Sequence, residues 1–441
     1  MNKCQVTAAS LDETGHGVGL AEGIRVHVAD LLPGERAEVA IDHASPHKPE
    51  AWGRIVRRLG PTSDQRIPPA CPGFGRCGGC LWQHLSYPSQ LEAKRARVVA
   101  ALGPDAKVGD VRPSPQLFGY RNKGKYVVGK SGDHVLLGAY APRSHHVIDT
   151  LGCRVVAPII DEVATWVRGA AERAQLVPYD EATRVGELRY VVIREAAGDV
   201  MIALIVAPNT PRAKLEHVAN ALAKHPAVRS LVAITNDRRD GAIVPSGSSA
   251  QVLFGHGHLV EELAGVKLEV GASEFLQVNR AQAQAMYTRV AELAGDVRGK
   301  RAIDLFAGLG GFGLHLARAG AEVIAVEIDR DAISQLRRAA ERAGLPLTTI
   351  AGDASADLAP QLGRPDVVVV NPPRKGLSES TRELLATIAP ATIIYISCGP
   401  ESLGRDLDAL RVQGYAPDAI EPFDLMPGTA QVETIVRLRR S

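Results

Sequence analysis

Cys398 closes the apolar run Tyr-Ile-Ser-Cys-Gly-Pro (Tyr395 to Pro400), and Glu433 stands in Gln-Val-Glu-Thr near the C-terminus. Brought together, a thiol and a carboxylate make a nucleophile and a base. One reaction that needs both is methylation of uracil at carbon 5, an atom too weakly nucleophilic to be alkylated directly. A thiolate that adds to carbon 6 turns carbon 5 into an enolate-like carbanion, which can attack an electrophilic methyl group. A base then removes the carbon 5 proton and the thiol leaves, so one hard step becomes several easier ones. The chemistry requires an accessible thiol beside a methyl donor and a carboxylate within hydrogen-bond reach of carbon 5. Taken singly, each residue has a plainer reading, Cys398 as an inert core thiol and Glu433 as a surface strand residue.

A donor site is suggested upstream. The segment from Ala302 to Gly310 runs from an apolar strand into a glycine-rich turn, and Gly308-Leu-Gly-Gly-Phe-Gly313 fits the G-x-G-x-x-G fingerprint. Glycines there let backbone approach a ligand, and the following helix offers free N–H groups. Glu327, at the end of the next strand, can accept the two hydroxyls of a ribose, which suits NAD and S-adenosylmethionine alike. Asp353 can receive an adenine amino group or simply cap a helix. Two features favour S-adenosylmethionine. Asp304, before the turn, would repel a pyrophosphate but face a positively charged amino group, and Asn371-Pro372-Pro373-Arg374 forms a stiff loop that a dehydrogenase does not need.

A second constellation is Cys71, Cys77 and Cys80, separated by glycines, with Cys153 as a possible fourth ligand. Four thiolates suit zinc or an iron–sulfur cluster, and spacing does not choose between them. Cys4 is left over. Tyr120-Arg121-Asn122-Lys123-Gly124-Lys125, with Arg143, His145 and His146, is a basic stretch able to track phosphates, or else a solvated strand and loop.

These residues need a scaffold, and 441 residues suffice for two or three domains. Charge is balanced at +2, which neither supports nor excludes RNA binding, and an aromatic content of 4% leaves few rings for stacking on bases. Apolar runs are too short for a membrane span and the N-terminus lacks a signal-peptide core, so a cytoplasmic protein with reduced thiols is expected. Residues 1–62 read as a small β-barrel, with strands at Gln5–Ala9, Ile24–Val28, Glu35–Ile41 and Trp52–Arg58 and turns marked by Gly15, Gly17, Gly19 and Gly34. Residues 63–268 read as an α+β domain, with helices at Ser89–Ala101, Ile159–Ala174 and Arg212–His225 and strands at Lys125–Val128, Tyr190–Glu195 and Met201–Val206. Residues 269–441 alternate strand and helix, which predicts a doubly wound, Rossmann-like parallel sheet. Its strands are Arg301–Phe306, Glu322–Glu327, Leu347–Ala351, Val367–Val370 and Thr392–Ser397.

Over nearly its full length the chain resembles the RNA uracil-5 methyltransferases, most closely the branch acting on 23S ribosomal RNA. The resemblance rests on Phe275-Leu-Gln277-Val-Asn279, on the Asp304–Gly310 turn, on Asn371-Pro-Pro-Arg-Lys-Gly376, on Ser397-Cys398-Gly-Pro400 and on Val432-Glu433-Thr434. It implies that Cys398 is the nucleophile and Glu433 the base. It places Gln277, Asp304, Phe306, Gly308, Glu327, Asp353 and Asn371 around S-adenosylmethionine and Phe275 near the reacting base, while Arg121 and Lys123 of the basic stretch and Arg374 of the stiff loop are expected to contact the RNA. It implies a 4Fe–4S cluster on Cys71, Cys77, Cys80 and Cys153 and a TRAM-like N-terminal barrel. Because the chemistry transfers no electrons, the cluster is expected to have a structural and RNA-docking role, and the chain is expected to be a monomer. Three residues depart from the family pattern: Asn371 where aspartate is frequent, Gly399 where asparagine commonly follows the cysteine, and Gln431 in a segment that usually holds a histidine. The competing readings are the same reaction on transfer RNA, a nitrogen methyltransferase with no use for Cys398, a non-catalytic RNA-binding factor, and an NAD-dependent redox enzyme.

Overall fold

A computed structural model describes residues 3–142, 144–239, 242–244 and 248–440. Strands β1 (Lys3–Thr7), β2 (Ser10–Leu11), β3 (Gly17–Ala21), β4 (Ile24–Val28), β5 (Arg36–Ala44) and β6 (Glu50–Leu59) pair in the order β1-β5-β6-β4-β3-β2. Contact between β1 and β3 curls this sheet around Val6, Val26, Val28, Leu31 and Val39. Gly17 and Gly19 lie inside β3 and not in a turn. A Cβ at either would sit 2.2 Å from a carbonyl oxygen, of Leu31 and Thr7 respectively, so glycine here admits a close crossing of backbones.

After α1 (Tyr87–Leu102) come β7 (Lys123–Ser131), β8 (His134–Tyr140), β9 (Val147–Asp149), α2 (Pro158–Arg173), β10 (Leu188–Ala196), β11 (Asp199–Val206), α3 (Arg212–Leu222), β12 (Val228–Thr235) and β13 (Ala250–Phe254). They build a seven-stranded sheet in the order β13-β12-β11-β10-β7-β8-β9. Val163 and Val167 of α2 and Leu215, Val218 and Leu222 of α3 pack on Val191, Ile193, Ile202 and Leu204. Pro158 opens α2, where its missing N–H costs nothing.

A hairpin, β14 (Leu259–Leu263) and β15 (Val266–Val270), leads into α4 (Arg280–Ala294). Then follow β16 (Arg301–Leu305), α5 (Gly311–Arg318), β17 (Glu322–Glu327), α6 (Arg330–Arg342), β18 (Leu347–Ala351), α7 (Ala359–Leu362), β19 (Val367–Val370), α8 (Glu379–Ile388), β20 (Thr392–Ser397), α9 (Pro400–Val412), β21 (Tyr415–Phe423) and β22 (Glu433–Arg440). The sheet order is β18-β17-β16-β19-β20-β22-β21, parallel from β16 to β20, with β22 antiparallel to both neighbours. The predicted Rossmann-like sheet is thus present. Its strands are apolar on both faces because both are covered. Ala302, Val323, Val369 and Ile394 face the α4–α6 layer, while Ile303, Leu305, Val368 and Tyr395 face α8 and α9.

Helix α1 belongs to the middle of the chain yet packs on α9. From it, Lys94 reaches the loop between β21 and β22. Its Nζ lies 2.5 Å from Asp424 Oδ1 and 3.1 Å from the Met426 carbonyl, and neither ionic side chain is exposed. The same loop accepts from Trp82 N and donates to Gln90 Oε1 through Gly428, each at 2.8 Å, and accepts from Arg97 at the Ala430 carbonyl. Burial pushes the Lys94 ammonium below its ordinary value and Asp424 opposes the shift. Removing one partner strands the other charge in the interior, whereas replacing both by apolar groups does not. Asp424→Ala is therefore expected to lose about 3–5 kcal/mol in urea unfolding. The double variant Lys94→Met/Asp424→Leu is expected to lose less, and an equal or larger loss would remove the pair from this role.

Candidate active site

Strands β20 and β22 pair Ile396 with Ile435 and Ser397 with Thr434. Continued by one residue, forward from Ser397 to Cys398 and back from Thr434 to Glu433, this antiparallel register brings Cys398 opposite Glu433. Directly opposed residues of an antiparallel pair share a face of the sheet, so this register juxtaposes the thiol and the carboxylate. Both line a cavity of about 710 Å³ at the carboxyl ends of the parallel strands, where open α/β sheets bind ligands. Phe275, Gln277, Phe306, Gly308, Glu327, Asp353, Asn371 and Arg374 line the same cavity. Of the residues singled out in the sequence for donor and base, the structure gathers all of these in one place.

The donor end is built by the β16 and β17 termini. Gly308 N donates to Glu327 Oε2 at 2.8 Å and Asp329 N donates to Glu327 Oε1 at 2.9 Å, which fixes the carboxylate at the rim. Each oxygen keeps a lone pair for a further donor. Phe306 turns the chain at φ 62°, a conformation that strains a residue with a side chain. Gly310 caps α5 in the left-handed region, and a Cβ there would lie 2.4 Å from Leu336. Asp329 caps α6 through bonds from Asp331 N and Ala332 N, and with Ile328 it adds to the wall. Neither stood out in the sequence; the signal was their place directly after the acid that ends β17.

Asp304 is placed differently from expectation. It is fully buried under the turn, with Oδ2 accepting from Gly313 N at 2.8 Å, and it does not line the cavity. Burial pushes its carboxyl up to about 7. The strand alternation explains this, since Asp304 points into the layer under α5. Lys123, read as a phosphate contact, is also buried. Its Nζ donates to the Ala272 carbonyl at 3.0 Å, while burial and then Arg194 bring its ammonium down to about 7. Arg121 lines the cysteine cavity and not the one beside Cys398. Arg143 lies outside the described residues.

Around the thiol, burial raises the Cys398 pKa and the Glu433 charge adds to it, while the Arg374 guanidinium pulls it down, partly through a hydrogen bond to the sulfur. Arg374 also donates to Gln431 Oε1 at 3.1 Å, which steadies this arginine. At Gly399 a Cβ would lie 2.9 Å from Ser402 Oγ, which itself donates to the Gly399 carbonyl. Ser402 thus occupies the room that a side chain at 399 would need. Asp406 fastens the two loops together. It accepts from Leu377 N at 2.8 Å, just beyond Asn-Pro-Pro-Arg-Lys-Gly, and from Tyr395 Oη at 2.6 Å, on the strand that ends at the thiol.

The four cysteines Cys71, Cys77, Cys80 and Cys153 are free thiols lining one cavity of about 220 Å³. A Cβ on Gly73 would come 3.6 Å from Cys71 Sγ, and one on Gly79 would come 3.4 Å from Cys77 Sγ, so the glycines let the backbone wrap the sulfurs. Burial pushes the Cys80 thiol up to about 11, with Cys153 and Cys77 adding repulsion. Among the described residues no three His, Cys, Asp or Glu side chains are placed to hold a single metal ion.

Fold and cavity together define a Rossmann-like methyltransferase. A family profile described as "Conserved hypothetical protein 95" matches residues 282–411. An uncharacterized RNA methyltransferase of Halalkalibacterium halodurans is 32% identical over 98% of this chain and 96% of its own length. One from Caldanaerobacter subterraneus is 32% identical over 99% and 98%. The chain belongs to the RNA methyltransferase family. The crystal structure of Pyrococcus abyssi tRNA (uracil-54, C5)-methyltransferase in complex with S-adenosyl-L-homocysteine superposes with a TM-score of 0.78 at 25% identity, over 98% of this chain and 100% of that one. No helix among the described residues is long and apolar enough to cross a membrane.

Glu433 opens toward the cavity but is otherwise walled in, and burial pushes its carboxyl up to about 7, with Arg374 pulling the other way. The unfolded chain ionises this group near 4.5. Its stabilising contribution is therefore full below that value and is lost as pH rises through about 7. Glu433→Gln is expected to unfold at higher denaturant than the parent at about pH 8, by roughly 1–3 kcal/mol, and to match it at about pH 4. A difference that is the same at both pH values would contradict this environment for the carboxylate.

Proposed function

We propose that the chain is an S-adenosylmethionine-dependent RNA (uracil-5-)-methyltransferase that works through a covalent bond between Cys398 and the uracil ring. The observation that carries this reading is the β20–β22 register, which sets Cys398 opposite Glu433 on the wall of the cavity that also holds the donor residues. S-adenosylmethionine supplies an electrophilic methyl group when bound. Glu327, Asp353, Gln277 and the turn around Gly308 would hold it. A Cβ at Gly308 would meet no atom within 4 Å, and this open space fits a ligand lying against bare backbone. Arg374 opposes the rise that burial and Glu433 impose on the Cys398 thiol, and so favours the thiolate that attacks carbon 6. Glu433, poised near neutrality, takes the carbon 5 proton as the carbon–sulfur bond breaks. Phe275, 68% exposed at the mouth, offers its ring to a base that has left its stack.

The sequence resemblance supports ribosomal RNA as substrate, and the likeness to the Pyrococcus abyssi enzyme supports transfer RNA as the second reading. Transcripts of both kinds containing 5-fluorouridine separate them, because fluorine cannot leave as a proton and the adduct stalls. A denaturation-resistant protein–RNA adduct is expected with one class of transcript and none with Cys398→Ala. An adduct of equal yield in that variant would sink the mechanism.

We propose that the four thiols lining one cavity hold the 4Fe–4S cluster that the sequence resemblance implies. Four thiolates suit zinc equally, so the resemblance and not the spacing supports iron. Protein purified without oxygen is expected to hold about four iron atoms and as many acid-labile sulfides per chain. Zinc alone, in a colourless sample, would overturn the assignment.

A further inference from the structure

Phe275 and Gln277 reach the cavity from an irregular segment, residues 271–279, that precedes α4. Much of what holds this segment comes from the central sheet. β7 and β10 pair so that Lys123 stands directly opposite Arg194, and both are buried. Two like charges in that arrangement repel and both have lost water. They turn instead onto the loop. Lys123 Nζ donates to the Ala272 carbonyl at 3.0 Å, and Arg194 Nη2 donates to the Glu274 carbonyl at 2.5 Å. The Glu274 carboxylate supplies countercharge to both cations, and its Oε1 accepts from Gln335 Nε2 of α6 at 3.0 Å. Gly271 leaves it room, since a Cβ there would lie 2.8 Å from Glu274 Oε2. Neighbouring Asn122 donates its N–H to the Val278 carbonyl at 2.9 Å. Neither Lys123 nor Arg194 lines the cavity.

We propose that Arg194 and Lys123 are positioning residues that set Phe275 and Gln277 in place over the cavity, so that a sheet making no contact with the methyl donor governs its affinity. The proposal rests on the reading of Gln277 as a donor contact. Full-length protein is titrated with S-adenosylhomocysteine by calorimetry for the parent, Arg194→Met, Gln277→Ala and the double variant. Each single change is expected to weaken binding by about tenfold, the loss of one buried hydrogen bond to a charged or ligand group. The double variant is expected to bind little worse than either, because displacing the loop already removes Gln277. Parent-like binding by Arg194→Met, or penalties that multiply to about a hundredfold, would overturn the positioning role while leaving the donor site intact. Parent-like binding by Gln277→Ala would overturn the donor-site reading and the positioning role with it. Should Arg194→Met not fold, as read by its melting transition, Lys123→Met releases Ala272 and carries the same cycle.

Discussion

The register between β20 and β22 is the constraint on which the site depends. Side chains alternate across a strand, so slipping this pairing by one residue would send Glu433 to the opposite face from Cys398. The register is held by burial on both sides. Ile435, Val436 and Leu438 of β22 and Ile393, Ile394 and Tyr395 of β20 have almost no exposed surface, and the observed alignment keeps all of them covered. The chemistry at the end of the pair is therefore specified by the packing along its length.

Around that pair, three stretches distant in sequence meet at one rim. The Asn-Pro-Pro loop is tied to β20 through Asp406, the loop after β21 is tied to α1 through the buried Lys94–Asp424 pair, and the Phe275 segment is tied to the central sheet. In each case the tie is a buried ionised or strongly polar group on a backbone partner. Such bonds add little net stability, but an unmet partner in the interior is expensive, so they discriminate sharply between one loop position and its alternatives.

Much of this was legible in the chain. The five parallel strands announce themselves as short apolar runs, all four residues of Val367–Val370 being valine, and each ends at a polar or glycine-rich motif. Their ends are where ligands bind, and Glu327, Asn371 and Cys398, singled out there in the sequence, line one cavity. Patterns of local composition misled where the third dimension decides. Gly17 and Gly19 look like turn residues until the crossing strands at Leu31 and Thr7 are in view. Lys123 sits in a basic run that reads as solvated, yet the segment at Ala272 covers it, while Lys125, two residues on along the same face of β7, stays exposed. Asp304 is a matter of which face a single strand residue takes. The Lys94–Asp424 pair spans more than three hundred residues of sequence and leaves no local signature.

The embrace between α1 and the far end of the chain bears on how the molecule comes to exist. During synthesis the N-terminal portion leaves the ribosome long before residues 420–436 are made. Through that interval Lys94 has no Asp424, and the backbone groups of Gly109 and Arg112 lack the Ile420 and Pro422 carbonyls that they later meet. The nascent chain must wait with this seam open. Cys398 and Glu433 consequently come together only when β22 docks, and a polypeptide released before β22 would leave β20 without its antiparallel neighbour and the thiol without the carboxylate beside it.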